Sequence, residues 1–354
     1  GYQERCDLYH KIEKCRNRPL IAYVTSSRAN DGAGQIGADV IPEFCDQLLK
    51  IPDTEKNIDL LIVSNGGDPI VSWRIISILR ERFEKIGVLV PFAANSAATL
   101  LALGADEIIM HPFANFGPVD PQLNVISEGG YHQQFSADYI TNYLDFVKNE
   151  VGITEQEELG IAFQHLCEKV SALDIGLARK STNLTESLGK KLLSPHIEST
   201  EKAEKIASIL TKSFHHHGYT IGRAEAVDLG LPIIPADKEL EMLLWDVWKN
   251  FETEMKCRIP FDPITEVITT PEYANRWSID AQNPLTHVSY ENILNALPPN
   301  GYVFSLELRH AALESTRMNS EYISLKQFTI QKTPDLKLNY ILTPISNGYW
   351  RESK

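Results

Sequence analysis

The chain has 354 residues, of which 43% are hydrophobic and 23% are charged. This composition is ordinary for a soluble globular protein, and it excludes wholesale disorder, collagen-like repeats and a multi-span membrane protein. Asp and Glu total 47 against 34 Lys and Arg, which gives a net charge of −13. An acidic surface argues against nucleic acid or anionic lipid as the main partner.

The five cysteines are scattered along the chain and form no C-x-x-C pair. This usage predicts a reducing compartment, taken here as the cytoplasm, with no disulfide framework and no structural zinc site. The first residues contain no apolar core of a signal peptide. No apolar stretch reaches the roughly 18 residues that a membrane helix needs, so membrane association would depend on an anchor absent from this chain.

The first two-thirds of the sequence alternate strand-like and helix-like segments. Strands are predicted at 20–25, 58–63, 87–93 and 106–110, and helices at 39–49, 69–85 and 95–104. The strand segments are short apolar runs, whereas the helix segments have apolar residues at helical spacing. Alternation of this kind predicts βαβ units and a mostly parallel sheet covered on both faces.

A mainly helical arm follows at 135–193, with further helices predicted at 200–214, 221–231 and 239–256. After Cys257 the sequence changes to a proline-punctuated stretch and then to strands at 302–308, 322–330 and 338–342, which are rich in aromatic and β-branched residues. We therefore predict two units, a domain at 1–257 and a smaller β-containing module of unknown role at 258–354.

Two turns at the carboxyl edge of the predicted sheet contain the candidate chemistry. Gly66 and Gly67 follow the second strand, and Ser96 opens a helix directly after the third. Adjacent glycines let backbone N–H groups approach a ligand, and N–H donors beside a serine are the components of an oxyanion hole. The same residues also fit a plain turn and a serine N-cap, so spacing alone leaves both interpretations open.

The segment 60–123 resembles the ClpP/crotonase superfamily, and more closely the SppA-like serine peptidases called serine dehydrogenase proteinases. The motifs that carry the resemblance are Gly66-Gly67, Ser96-Ala97-Ala98-Thr99, Ala105-Asp106-Glu107-Ile108 and Gly117-Pro118-Val119-Asp120-Pro121-Gln122. A later segment ending in Leu229-Gly230-Leu231-Pro232 extends the resemblance over about 20–235. The resemblance implies an α/β ClpP/crotonase-like βαβ superhelix with a helical arm.

By the same resemblance, the chain is expected to be a serine endopeptidase that cleaves protein or peptide substrates and forms a homo-oligomer. Ser96 would be the nucleophile, and the N–H groups of Gly67 and Ala97, together with Gly66, would form the oxyanion hole. The sequence Asn95-Ser96-Ala97-Ala98 departs from the more common S-G-G or S-A-G, but alanine retains the N–H donors. No cofactor and no metal is expected.

The resemblance implies a lysine as general base, because ClpP itself uses a histidine where this chain has Val119-Asp120. A lysine can serve only if burial lowers its pKa from about 10.4 toward neutrality. Lys180 is the first candidate and Lys148 the runner-up, and each also fits a solvated helix lysine. His111, after the fourth strand, is held as a reserve base.

Two further groups of residues are candidates for a functional role. Asp120 and Gln122 are expected near a substrate channel or a subunit contact, although a proline-braced turn explains them equally well. His215-His216-His217 suggests a metal site, but three consecutive residues on a helix or strand do not converge on one ion, so no metal is predicted.

Two alternatives to the peptidase remain open. One is a catalytically silent scaffold or regulatory protein that keeps the fold. The other is a crotonase-like acyl-CoA enzyme, which would use the same backbone donors to stabilise a thioester enolate. Apolar residues of the helical arm support the expected homo-oligomer, because they exceed what one sheet face can bury: Tyr139, Tyr143, Phe146, Val147, Phe163 and Leu166.

Overall fold

The structure is a computed structural model that describes residues 1–126, 132–212, 218–271, 275, 287–335 and 337–353. Its strands are β1 (Leu20–Thr25), β2 (Asn57–Val63), β3 (Lys85–Val90), β4 (Ala93–Ala94), β5 (Glu107–Met110), β6 (Asn115–Phe116), β7 (Gln122–Ile126), β8 (His132–Ser136), β9 (Ile221–Gly222), β10 (Tyr302–Glu314), β11 (Asn319–Lys332), β12 (Leu338–Pro344) and β13 (Tyr349–Glu352).

Its helices are α1 (Tyr2–Arg16), α2 (Val40–Leu49), α3 (Pro69–Arg82), α4 (Ala97–Leu103), α5 (Asp138–Asn149), α6 (Gln156–Cys167), α7 (Ala172–Leu193), α8 (Thr200–Lys212), α9 (Arg223–Asp228), α10 (Lys238–Glu254), α11 (Pro263–Thr269) and α12 (His287–Ala296). A 3₁₀ turn lies at Asn30–Gly32. None of the described helices combines the length and apolar composition that crossing a bilayer requires.

The main sheet has the strand order β12-β11-β10-β1-β2-β3-β5, with β13 paired to β11. Strands β1, β2, β3 and β5 are parallel, because each is connected to the next through a helical crossover. Side chains alternate between the two faces. Ile21 and Tyr23 pack toward the layer of α2, α3 and α4, whereas Ala22 and Val24 pack toward α1 and α10. The predicted α/β fold with a sheet covered on both faces is confirmed. The sheet as a whole is mixed and not mostly parallel, because the C-terminal strands join it antiparallel.

The C-terminal strands extend this same sheet. Strand β10 pairs antiparallel with β1, with Ala22 opposite Glu314 and Thr25 opposite Ala311. A separate apolar cluster, centred on Phe261, Phe304 and Phe328, lies beneath the far end of these strands. The predicted strands at 302–308, 322–330 and 338–342 are present, and β10 and β11 are longer than predicted. The boundary at 257/258 stays a prediction.

Helix α1 was not predicted, because its charged residues obscure the helical spacing of its buried side chains. A buried ion pair attaches it to the C-terminal strands: Arg5 donates to Glu314 from Nε and Nη2, at 2.9 and 2.7 Å. Both side chains are fully buried. The hydroxyl of Tyr9 also donates to Glu314, and the Arg5 guanidinium lies 4.1 Å from the ring centre of Phe251.

We expect Arg5→Met to lower the free energy of unfolding by about 3–5 kcal/mol, because it leaves the Glu314 carboxylate buried and without its cation. Urea denaturation measures this change, and Lys11→Met, on an exposed part of the same helix, is the matched control. A loss below about 1 kcal/mol for Arg5→Met would show that solvent reaches Glu314 and that the pair is not an anchor.

Candidate active site

Backbone hydrogen bonds bring the two predicted turns together. Ser64, at the end of β2, donates its N–H to the Ala93 carbonyl, and its own carbonyl accepts from the N–H of Asn95, both at 2.9 Å. Gly66 then passes so close to the second turn that a Cβ added there would lie 2.8 Å from the Cβ of Ser96. The φ of Gly66 is +109°, a conformation that favours glycine. The glycine is therefore needed for the contact between the turns.

Ser96 has a strained backbone. Its φ is 51° and its ψ is −117°, a combination that residues with a Cβ rarely adopt. Its side chain makes no capping hydrogen bond to helix α4, although it occupies the N-cap position. Strain of this kind costs about 1–3 kcal/mol and persists at functional sites because the surrounding structure imposes it. These observations favour a functional serine over an ordinary N-cap.

The amides near Ser96 differ in whether they are already bonded. The N–H of Gly66 donates to Ser64 Oγ at 3.0 Å, and Thr25 Oγ1 donates to the same oxygen at 2.7 Å. Among the described residues, no atom accepts a hydrogen bond from the N–H of Gly67 or from that of Ala97. The Gly66 N–H is therefore engaged by the Ser64 hydroxyl and is removed from the predicted oxyanion hole, which leaves Gly67 and Ala97 as its donors.

A cavity of about 420 Å³ lies beside Ser96. Its walls come from the two turns, the 119–122 segment, helix α7 and the segment before α2, and comprise Gln35, Asn65, Gly67, Pro69, Ser96, Val119, Asp120, Pro121, Gln122, Ser181, Leu184 and Thr185. Asp120 is the single ionisable group among these described lining residues. Its carboxylate is buried and accepts from Gln122 Nε2 at 2.7 Å. The structure thus gathers Ser96, Gly67, Asp120 and Gln122 at one cavity.

Neither predicted lysine lines this cavity. Lys180 is exposed on α7, and Lys148 is exposed on α5. Helix α7 nevertheless forms part of the wall, since Leu184 lies on it one turn beyond Lys180. Residues four apart share one helix face, so the Lys180 side chain starts on the side of the helix that borders the cavity. The structure gives the positions of the two lysines. Their role as general base stays a prediction.

His111 is separate from the cavity. It is buried, stacks on Trp245 with ring centres 4.8 Å apart, and accepts the N–H of Phe113 at Nδ1. Burial lowers its pKa. Residues 215–217 lie outside the described residues. Within the described ranges, no group of three His, Cys, Asp or Glu side chains could hold a metal ion.

Several residues of the site are not predicted from the sequence. Ser64, which binds the Gly66 amide, directly follows β2, and Thr25, which donates to Ser64, is the last residue of β1. A polar residue at the end of an apolar strand was the available signal. Gln35 and Ser181 enter the wall from an irregular segment and from a long helix, and no sequence pattern marks either. In the helical arm, Tyr139, Phe146 and Phe163 are exposed, whereas Val147 is buried, and the homo-oligomer stays a prediction.

Residues 43–131, which contain both turns, match the family model described as "ClpP-like SDH-type serine proteinase". The predicted resemblance is confirmed. The match supports a peptidase-type function for this site. It covers the segment that builds Ser96, Gly67 and Asp120, and it does not assign a role to any residue.

Two proteins of Methanocaldococcus jannaschii are similar to the chain. MJ0137 is 30% identical over 202 residues, which are 57% of this chain and 62% of that protein. MJ1495 is 27% identical over 237 residues, 65% of this chain and 71% of that protein. Both are described as uncharacterised. The match spans less than two thirds of the length of MJ0137.

Two solved structures resemble the chain at low identity. The 1510-N membrane-bound stomatin-specific protease has a TM-score of 0.38 and 17% identity, over 58% of this chain and 78% of that chain. ClpP1 from Listeria monocytogenes has a TM-score of 0.33 and 14% identity, over 67% of this chain and 98% of that chain.

Proposed function

We propose that this protein is a serine peptidase whose nucleophile is Ser96. The observation that carries the proposal is the strained, uncapped backbone of Ser96, held against the Gly66-Gly67 turn at the edge of a cavity. A serine hydroxyl attacks a carbonyl carbon, and the carbonyl oxygen becomes an oxyanion that needs donors. The amides of Gly67 and Ala97 are the proposed donors, and the match to a serine proteinase family model supports this assignment.

The proposed base is Lys180. It would take the Ser96 hydroxyl proton during attack and return it to the leaving amine, after which water releases the acyl group. The lysine is exposed in the single chain, so it must pack against the cavity before it can act, because only desolvation lowers a lysine pKa toward neutrality. Contact with a second copy along the helical arm would supply that burial, and Lys148 is the alternative base.

The absence of a lysine from the described lining residues favours a second candidate function, a catalytically silent scaffold. The cavity then would bind a polypeptide without cleaving it. Asp120 is the one ionisable lining group that the structure describes, and its carboxylate accepts a hydrogen bond from Gln122.

Labelling with a fluorophosphonate separates the two functions, since the reagent forms a covalent bond only with an activated serine. We expect peptide mapping by mass spectrometry to find the adduct on Ser96. Lys180→Met should abolish labelling and peptidase activity, whereas Lys148→Met, an equally exposed helix lysine, should keep both. Loss of labelling and activity in Lys148→Met alone would assign the role of base to Lys148. A wild-type protein that is not labelled would support the scaffold function.

A further inference from the structure

A second cavity, of about 410 Å³, lies between the segment 33–39 and the C-terminal strands. We call it the C-terminal cavity. Three rings form much of its wall: Tyr322 lies 5.5 Å from Trp350 and 6.1 Å from His310, measured between ring centres. Ser324 and Lys326, on the same strand as Tyr322, also line it. The wall is therefore an aromatic surface with polar groups at its margin.

Hydrogen bonds hold each ring in place. Trp350 Nε1 donates to Asp39 at 2.6 Å, and the Tyr322 hydroxyl donates to the Asn347 carbonyl at 3.1 Å. His310 Nδ1 lies 2.9 Å from the Ala33 carbonyl, so it is the donor there. Fixed rings lose little freedom when a ligand packs on them, so the cavity is preorganised for binding.

Two charged side chains, Lys326 and Asp39, line the cavity together with His310, and each already has an ionic or hydrogen-bonding partner. Lys326 contacts Asp31 at 2.9 Å, and the Asp39 carboxylate accepts from the Trp350 ring. Burial lowers the pKa of His310, and Ser324, 2.7 Å from its Nε2, donates to the neutral ring. Lys326 is compensated by an ion pair, whereas the Trp350 N–H that binds Asp39 is a neutral donor. The preference for an aromatic group therefore rests on the rings of the wall.

The C-terminal cavity adjoins the cavity beside Ser96. Gln35 lines both of them. The next residue, Ile36, donates its N–H to the Gly66 carbonyl at 2.8 Å and accepts from the N–H of Asp68 at 2.9 Å. One short segment of chain, fixed to the glycine turn, is thus the wall between the two cavities. A polypeptide bound at Ser96 can extend across Gln35 into the second cavity.

We propose that the C-terminal cavity is an accessory substrate pocket that takes an aromatic side chain of the polypeptide whose scissile bond lies at Ser96. The pocket rests on the proposed function. It assigns a role to the C-terminal strands, which supply Tyr322 and Trp350. It also gives the substrate class: unfolded segments with an aromatic residue at a fixed distance from the cleaved bond.

The test uses peptides in which one Phe is moved a position at a time away from the scissile bond, each compared with its Ala counterpart. We expect one position at which Phe raises kcat/KM about tenfold over Ala. Trp350→Ala should remove that preference. Tyr349→Ala is the matched control, because Tyr349 is exposed and does not line the cavity. The ratio of kcat/KM for the Phe and Ala peptides should stay at the wild-type value in this variant.

Three results would overturn the pocket: no position with a Phe preference, an unchanged preference in Trp350→Ala, or the same loss in Tyr349→Ala. If Trp350→Ala fails to fold, Asn347→Trp fills the cavity from its rim, and it must abolish the preference instead. Fluorescence anisotropy of labelled peptides measures their binding to the Ser96→Ala variant without cleavage. This measurement separates failure of the proposed pocket from failure of the proposed peptidase activity. Tighter binding of the Phe peptide with no cleavage by the wild type would keep the pocket and reject the activity.

Discussion

Replacing Ser96 by alanine is expected to lower peptidase activity on peptides or unfolded proteins by orders of magnitude, toward what the oxyanion hole and binding provide alone. The free energy of unfolding should stay nearly unchanged, because Ser96 makes no capping hydrogen bond that alanine would lose. An ordinary N-cap would behave in the opposite way, with a loss of about 0.5–2 kcal/mol and no specific effect on turnover. Turnover assays and urea denaturation on the same preparation measure both quantities.

Ser96→Gly is the companion variant. Glycine adopts a φ of 51° with a ψ of −117° without a Cβ clash, so this variant should be more stable than the wild type, by up to about the 1–3 kcal/mol of strain. If the serine were a simple cap, glycine would instead cost a few tenths of a kcal/mol. A Ser96→Ala protein that cleaves peptides as fast as the wild type would end the assignment of Ser96 as nucleophile.

Gly67→Val is expected to reduce kcat about 100-fold or more, although it touches no side chain of the proposed chemistry. A Cβ at this position would lie 2.3 Å from the Ile36 carbonyl oxygen and 2.5 Å from the Ile36 nitrogen. Because both contacts are to backbone, the turn must move and take the Gly67 amide with it. Loss of one oxyanion donor typically costs 10²–10³ in kcat.

Gly152→Val is the matched control for that substitution. Gly152 also has a positive φ, of +82°, but a Cβ there has no neighbour within 4 Å. The Gly152→Val variant therefore has the backbone strain of a β-branched residue at positive φ, but it does not displace the Gly66-Gly67 turn. The control should keep its activity and its fluorophosphonate labelling. Equal activity in Gly67→Val and the wild type would show that the Gly67 amide is not an oxyanion donor.

The parallel half of the sheet could be predicted from the sequence because local patterns determine it. Segments such as Ile58–Val63 are apolar except for Asp59, which is buried and bonded to Arg16, as befits strands covered on both faces. This segment leads into the Gly66-Gly67 turn. Parallel strands place such turns at one edge, so the meeting of Gly67 and Ser96 followed from topology alone.

The remaining parts of the site depend on contacts between distant segments, which local patterns do not contain. The rotation of α7 about its axis decides whether Lys180 or Ser181 faces the cavity. The N-terminal half of this helix buries Ala178, Thr182 and Thr185 but exposes Leu173 and Leu177, so the spacing of its apolar residues does not reveal that rotation. The pairing of β10 with β1 joins residues almost 300 positions apart. Gln35 lies in an irregular segment whose place depends on that pairing.

The pairing of β10 with β1 also has a consequence for biosynthesis. The parallel strands and their helices can be made before Tyr302 is translated, but until then β1 is an uncovered edge with free N–H and C=O groups. The residues of β10 that pair with β1 are Ala311–Glu314. At about 5–20 residues per second, the edge therefore stays open for about 14–58 seconds after β1 has been made. The growing chain therefore presents an apolar template to other chains during that interval, and the yield of folded protein depends on the ribosome finishing β10 before a neighbouring chain pairs there.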